Sequence, residues 1–262
     1  MSATNEARIA EAILLSKGQE GRLPVSLSAL ANEEWVDIQP LTTHRRFEGR
    51  LEMCGGKPTI FVNDHGRGLD YPRARFTLAH ELGHFFLHRR WLTAGAAFHD
   101  QDLLQSEDLR TVEREANAFA AGCLLPERQV AQFLRGKLLS LDRVRELADV
   151  AVASLKATAI RVASLTPSRC CFFLEQGGII HWSAASDDWR LGKYPYAGWK
   201  GKLPGESHVA KDPGTFSERA IPIQAWCPNA RARDEPLFES ALQTSHGRLI
   251  LVIDAAVDPI LG

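Results

Sequence analysis

The spacing of apolar residues changes several times along the chain, and each change predicts an element. Ile9, Ala12, Ile13 and Leu14 predict a short amphipathic helix over 7–17, closed by Gly18. A second short helix is expected over 26–31. Alternation from Trp35 to Leu41 reads as a strand entering the core. Residues 49–53 and 59–62 read as two further strands, turned by Cys54-Gly-Gly-Lys-Pro58. A polar, Gly-rich loop follows over 63–72.

The strongest helical periodicity lies between Arg73 and His88, where Phe76, Ala79, Leu82, Gly83, Phe86 and Leu87 recur. A loop is expected over 92–105. A second strong helix is expected from Ser106 to Leu125, stopped by Pro126. Further helices are expected near 127–135, 141–151 and 154–165. After Pro167 the pattern changes. Residues 170–175 and 179–183 flank Gln176-Gly-Gly178, a β-hairpin signal. Residues 193–213 read as irregular, 236–244 as helical, and 249–254 as a buried strand. The fold class that follows is α+β, with parts at 1–126, 127–166 and 167–262.

Composition narrows the picture. The chain of 262 residues is 45% hydrophobic and 24% charged, which is ordinary for a globular protein and needs no disulfides. A net charge of -1 excludes a global pull toward nucleic acid or anionic lipid. The five cysteines, Cys54, Cys123, Cys170, Cys171 and Cys227, are odd in number and form no C-x-x-C, which fits free thiols in a reducing compartment. The N-terminus lacks the basic and apolar regions of a secretory signal, and no apolar run reaches the ~20 residues of a membrane span. A cytoplasmic location is expected.

His80-Glu81-Leu82-Gly83-His84 matches H-E-x-x-H, a pattern that this composition produces by chance on the order of 0.02 times per chain. On a helix, two histidines four apart share a face, so both imidazoles can reach one metal at ~2.0–2.1 Å. Glu81 is rotated ~100° away and can lie beside a water at the open position, where a general base is needed. The third ligand must come from elsewhere. Leu87 and Arg90 stand where a metzincin needs Gly and His, so that class is excluded. The following helix offers Glu113 and Glu115. Its apolar residues Val112, Ala116, Phe119, Ala120, Cys123 and Leu124 centre on one azimuth. Glu113 lies ~60° from that centre and Glu115 ~100° on the other side. Glu113 is therefore the preferred ligand and Glu115 the fallback. Asn117 shares the face of Glu113 and can accept a hydrogen bond from a metal-bound histidine. Tyr71, His65 and His99 flank the motif as possible oxyanion donors, though each reads as a loop residue. His88 reads as a helix-end residue, where a cationic side chain is favourable.

The run from Arg75 to His88, then Glu113-Arg-Glu-Ala-Asn117-Ala-Phe-Ala120 and Leu124-Leu-Pro126, resembles the ImmA/IrrE family of metallo-endopeptidases. Pro126 directly follows Leu125, so the residue usual between them is missing; this departure does not touch the metal residues. The resemblance covers about 36–126. It implies a minimal zincin-like domain, with an active-site helix on a small sheet, followed by a helical segment and a C-terminal α/β region. It implies Zn2+ held by His80, His84 and Glu113, with Glu81 as catalytic base. It also implies helix-turn-helix repressors as substrates, and a sensor-like role for the C-terminal region.

Asp142 to Arg161 has the outline of a helix-turn-helix. Its basic residues Arg143, Arg145, Lys156 and Arg161, with Lys137, are offset by Asp142, Glu146 and Asp149, so DNA binding draws little support from charge. A rival expectation stands beside the peptidase: a DNA-binding or scaffolding regulator with a structural zinc. A structural site needs no base and closes its fourth position with Cys or His.

Overall fold

The computed structural model describes residues 4–43, 47–92, 107–191, 200–212, 214–227 and 236–254. The loop expected over 92–105 lies almost wholly outside them, as do residues 193–199 of the stretch expected to be irregular over 193–213. The fold is α+β, as expected, and divides into two compact units.

The first unit holds residues 3–129 and 148–154. It begins with α1 (Asn5–Ser16) and α2 (Leu27–Glu33). Each starts at a hydroxyl cap: Thr4 accepts from the Ala7 N–H at 3.4 Å, and Ser26 from that of Ala29 at 3.3 Å. Three strands follow: β1 (Asp37–Leu41), β2 (Gly49–Cys54) and β3 (Lys57–Asn63). They pair in the order β1-β3-β2, with β1 parallel and β2 antiparallel to β3. Gly55 and Gly56, both at positive φ, make the tight turn between β2 and β3 that only glycine adopts without strain.

The expected entry of 35–41 into the core is limited to its start, where Val36 is buried. Trp35 is 80% exposed, and along β1 burial falls away until Gln39, Pro40 and Leu41 are exposed. The strand is an edge, which also tolerates Pro40 and its missing N–H.

α3 (Pro72–Leu92) packs on β2 and β3, and α4 (Glu107–Leu124) packs on α3 and α1. Pro72 occupies the first helical position, where its absent donor costs nothing. All six apolar residues that set the azimuth of α4 are buried. Leu51, Ile60, Val62, Ala79, Leu82 and Phe85 fill the space between sheet and α3. Two glycines permit close helix approach. A Cβ at Gly83 would lie 3.1 Å from the Ala116 Cα, and one at Gly122 would lie 2.6 Å from the Ala7 Cα.

α5 (Glu127–Leu134) and α6 (Leu141–Ala151) each run across a boundary between the units. The second unit holds 130–147 and the chain from 155 onward. In it, α7 (Leu155–Leu165) packs on a six-stranded antiparallel sheet. The elements in chain order are β4 (Cys170–Gln176), β5 (Ile179–Ala185), α8 (Asp187–Leu191), β6 (Gly201–Lys202), α9 (His208–Lys211), β7 (Phe216–Ile221), α10 (Ile223–Trp226), β8 (Leu237–Thr244) and β9 (Gly247–Asp254). The sheet order is β6-β5-β4-β9-β8-β7, and one face packs Phe173 against Trp226 at 4.5 Å.

The expected helix over 236–244 is instead β8. Its Leu, Glu, Ala and Gln favour helix locally, but β8 pairs with β7 and β9 on either side, and Leu237, Glu239 and Ala241 alternate inward. Tertiary pairing overrides propensity there. The buried Glu239 is satisfied by the Ser207 hydroxyl and the His208 N–H.

Candidate metal centre

The face of α3 that carries His80 and His84 meets α4 where Gly83 lets Ala116 approach. One turn before Ala116, α4 presents Glu113. The two imidazole Nε2 atoms lie 3.0 Å apart. Glu113 sets Oε2 3.2 Å from His80 Nε2 and Oε1 3.3 Å from His84 Nε2. Four ligands arranged tetrahedrally at ~2.0–2.1 Å from an ion are about 3.3 Å from one another. The Nε2–Nε2 separation is close to that edge length, each Nε2 meets a different oxygen of Glu113, and one donor atom from each residue lies within 4.8 Å of the others, so the set can hold one metal ion. Among the described residues, these three form the group of His, Cys, Asp or Glu able to hold an ion.

The outer nitrogens of both rings are also engaged. His80 Nδ1 lies 3.1 Å from Asn117 Oδ1. His84 Nδ1 lies 3.2 Å from Nδ1 of His88, whose Nε2 lies 2.9 Å from Glu115 Oε2. Glu113 and Glu115 thus occupy different places, the first between the two histidines of the motif and the second on His88. His88 is only 6% exposed and sits where α3 leaves helical geometry, with φ -122° and ψ 19°. His88 thus stands at a break near the end of α3, with its ring buried and in contact with Glu115.

Residues 38–163 match the family model Peptidase_M78, described as the IrrE N-terminal-like domain. Over this segment the chain resembles the Peptidase_M78 family. A solved structure of a Mycobacterium tuberculosis transcriptional regulator shares the fold, with a TM-score of 0.60 and 18% identity over 98% of this chain and 78% of that one. No curated protein matches the chain. The Peptidase_M78 assignment makes metallopeptidase chemistry the expectation for the centre on α3 and α4.

Electrostatics distinguish the side chains of this centre. Glu81 is 4% exposed, and burial pushes its carboxyl up to about 7, aided by Glu113 and opposed by His80 and the Leu51 N–H. Gly49 on β2 makes that burial possible, since a Cβ there would stand 2.8 Å from Glu81 Oε1. Burial works against ionised Glu113, but hydrogen bonds and charge from His80 and His84 outweigh it and hold it well below the usual carboxylate range. For His80, burial is outweighed by Glu113, Glu81 and Asn117, and the ring is held above its ordinary value. For His84, burial prevails over Glu113, and with His80 and His88 nearby its pKa is lowered.

The remaining sequence candidates lie elsewhere. Tyr71 and His65 line a cavity of about 290 Å³ with Thr42, Thr43, Arg67 and Arg73. His65 there contacts Glu48 at 3.1 Å, and Arg67 stacks over the Tyr71 ring. His99 lies outside the described residues. Cys123 is a buried core residue whose thiol burial pushes up to about 12. Of the basic residues in the helix-turn-helix outline, Arg143 contacts Glu146 and the Phe133 carbonyl, Arg145 pairs with Asp142, Arg161 is buried, and Lys156 lies over Trp182. These contacts leave a weak phosphate-binding surface. Sequence reasoning overlooked His88 and Glu115 as partners, although their spacing from His84 and Glu113 is a readable signal. No helix among the described residues is long and apolar enough to cross a membrane.

Proposed function

We propose that the chain is an intracellular zinc metallo-endopeptidase that hydrolyses a peptide bond in a regulatory protein, with a helix-turn-helix repressor as substrate class. The observation that carries this reading is the convergence of donor atoms from His80, His84 and Glu113 beside a buried Glu81. Zn2+, when bound, supplies Lewis-acid polarisation of the scissile carbonyl and acidifies a water. His80 and His84 would hold it through Nε2 and Glu113 through its carboxylate. Glu81, with a pKa of about 7, is suited to take the proton of the attacking water and return it to the departing amine. Asn117 orients His80 by accepting its Nδ1–H. The division proposed for the chain is a peptidase core over 1–126, a helical segment over 127–166 and a sensor-like region over 167–262.

The test is co-incubation of the purified chain and zinc with a repressor encoded beside its gene, with fragments read by mass spectrometry. Cleavage by the parent and none by Glu81→Gln, which should retain zinc, is the expected result. Full cleavage by Glu81→Gln removes the mechanism.

A second reading is a DNA-binding or scaffolding regulator with a structural zinc. What favours it is that the fold neighbour is a transcriptional regulator. It predicts a salt-dependent DNA shift without proteolysis. A buried carboxylate next to the ligands favours the peptidase, because a structural site has no use for a base there.

A further inference from the structure

We infer that His88 and Glu115 are positioning residues that hold His84 in its metal-binding tautomer through a one-directional hydrogen-bond relay. The inference rests on the metal centre proposed above and concerns how that centre is kept ready. A neutral imidazole has a single N–H. If Nε2 of His84 is to offer its lone pair toward Glu113 and His80, its proton must sit on Nδ1. That nitrogen faces Nδ1 of His88 at 3.2 Å, and two nitrogens at this distance need one proton between them. His84 then donates and His88 accepts. The proton of His88 is thereby placed on Nε2, which lies 2.9 Å from Glu115 Oε2. The chain of donors ends on a carboxylate, which has no proton to give when ionised.

The reverse direction is incompatible with metal binding. A His88 that donated through Nδ1 would make Nδ1 of His84 the acceptor. The His84 proton would then sit on Nε2, pointing at the ion. Glu115 prevents this by fixing the His88 proton at the far side of the ring. The arrangement parallels that of His80 and Asn117, but it needs two residues, since His84 lies deeper, at 2% exposure. It also links the two helices: Glu115 is two residues from Glu113, so the relay and the carboxylate ligand are anchored on the same turn of α4. A helix–helix ion pair between His88 and Glu115 would stabilise the fold without affecting the metal, and this is the reading to be separated.

The test is zinc affinity by chelator competition on the full chain, for the parent, His88→Leu, His88→Asn, Glu115→Ala and the double variant of His88→Leu with Glu115→Ala. Thermal unfolding and the visible spectrum of the Co2+-loaded proteins are measured in parallel. The expected result for His88→Leu is an affinity about 10–100-fold weaker with a changed Co2+ spectrum, the loss usual for partners behind a metal ligand. Asn carries an oxygen acceptor near the Nδ1 position and should recover most of that loss. Glu115→Ala should also weaken binding, and the double variant should be no worse than His88→Leu, because both act through one relay. His88→Leu within twofold of the parent, or losses that multiply in the double variant, would overturn the relay, whatever the thermal shifts. Should His88→Leu fail to fold, Glu115→Ala decides alone, with parent-like affinity counting against the inference. A parent that binds no zinc would instead sink the metal centre itself, so the two failures are distinguishable.

Discussion

Burial of Glu81 should make the metal-free protein lose stability as the pH rises, and Glu81→Gln should abolish that loss. The carboxyl is 4% exposed and its pKa moves from an ordinary 4.5 to about 7. The folded state therefore binds this proton more tightly than the unfolded chain does. Where the folded state holds more protons, stability falls with rising pH. The contribution is fully present below about 4.5 and is lost on passing through about 7. At 1.36 kcal/mol per tenfold change in proton affinity, the shift is worth about 3 kcal/mol. Glutamine keeps the volume and can still accept the Leu51 N–H, but it cannot ionise. Urea unfolding of chelator-treated parent and Glu81→Gln, followed by circular dichroism between pH 4.5 and 8, measures the difference. The two should have similar stability at the acid end, and the variant should gain about 3 kcal/mol by pH 8. Groups that do not interact with Glu81 cancel in the comparison. Zinc should shrink the gap, because a nearby cation favours the ionised carboxylate. A difference that stays constant across this range would refute the claim that burial sets the state of Glu81.

Other consequences can be measured directly. Glu113→Ala should lower the zinc content of purified protein far more than Glu115→Ala, since only Glu113 touches the two motif histidines; metal analysis giving the opposite order would transfer the ligand role. Gly83→Ala should destabilise the fold by about 1–3 kcal/mol and weaken zinc binding, because its Cβ would meet the Ala116 backbone at 3.1 Å and push α4 away. Stability and affinity both unchanged would show that the helix approach is not critical. Chelation should lower the unfolding midpoint of the parent, by about 4 kcal/mol for zinc at a thousand times its Kd, and leave a His80→Ala, His84→Ala double variant unmoved.

Much of the centre was readable because it is written in helical periodicity. His80 and His84 are four apart on one strongly apolar segment, and the azimuth of Val112, Ala116, Phe119, Ala120, Cys123 and Leu124 pointed to Glu113 before Glu115. All six are buried, and Glu113 lies between the motif histidines. What could not be read was whatever a partner element decides. The segment at 35–41 shows alternation but, among the described residues, pairs with β3 alone, so burial stops near its start and Gln39, Pro40 and Leu41 stay exposed. The 237–244 segment has helical residue preferences but is flanked by two strands. His88 looked like a helix terminus because the sequence does not reveal that the terminus is buried against Glu115. Periodicity gives the face of an element, whereas the identity of the group across from that face is a long-range fact.

The same crossing explains why recognition and chemistry coincide on α3 and α4. Along α3, His80 meets Asn117 and Glu113, His84 meets Glu113, and His88 meets Glu115. Gly83 against Ala116 lets the two helices approach closely among these contacts. Three imidazoles, two carboxylates and an amide are thereby placed in a helix–helix interface that would ordinarily be apolar. Burying such groups is costly unless each finds a partner. Asn117, His88 and Glu115 satisfy the outer nitrogens, but the inner Nε2 atoms of His80 and His84 face each other at 3.0 Å with a carboxylate beside them. A cation relieves that arrangement: a proton on His80, whose pKa is held above its ordinary value against burial by Glu113, Glu81 and Asn117, or a metal ion, which would satisfy all three groups at once. The polar interface is therefore best explained as a site whose stability is completed by what it binds.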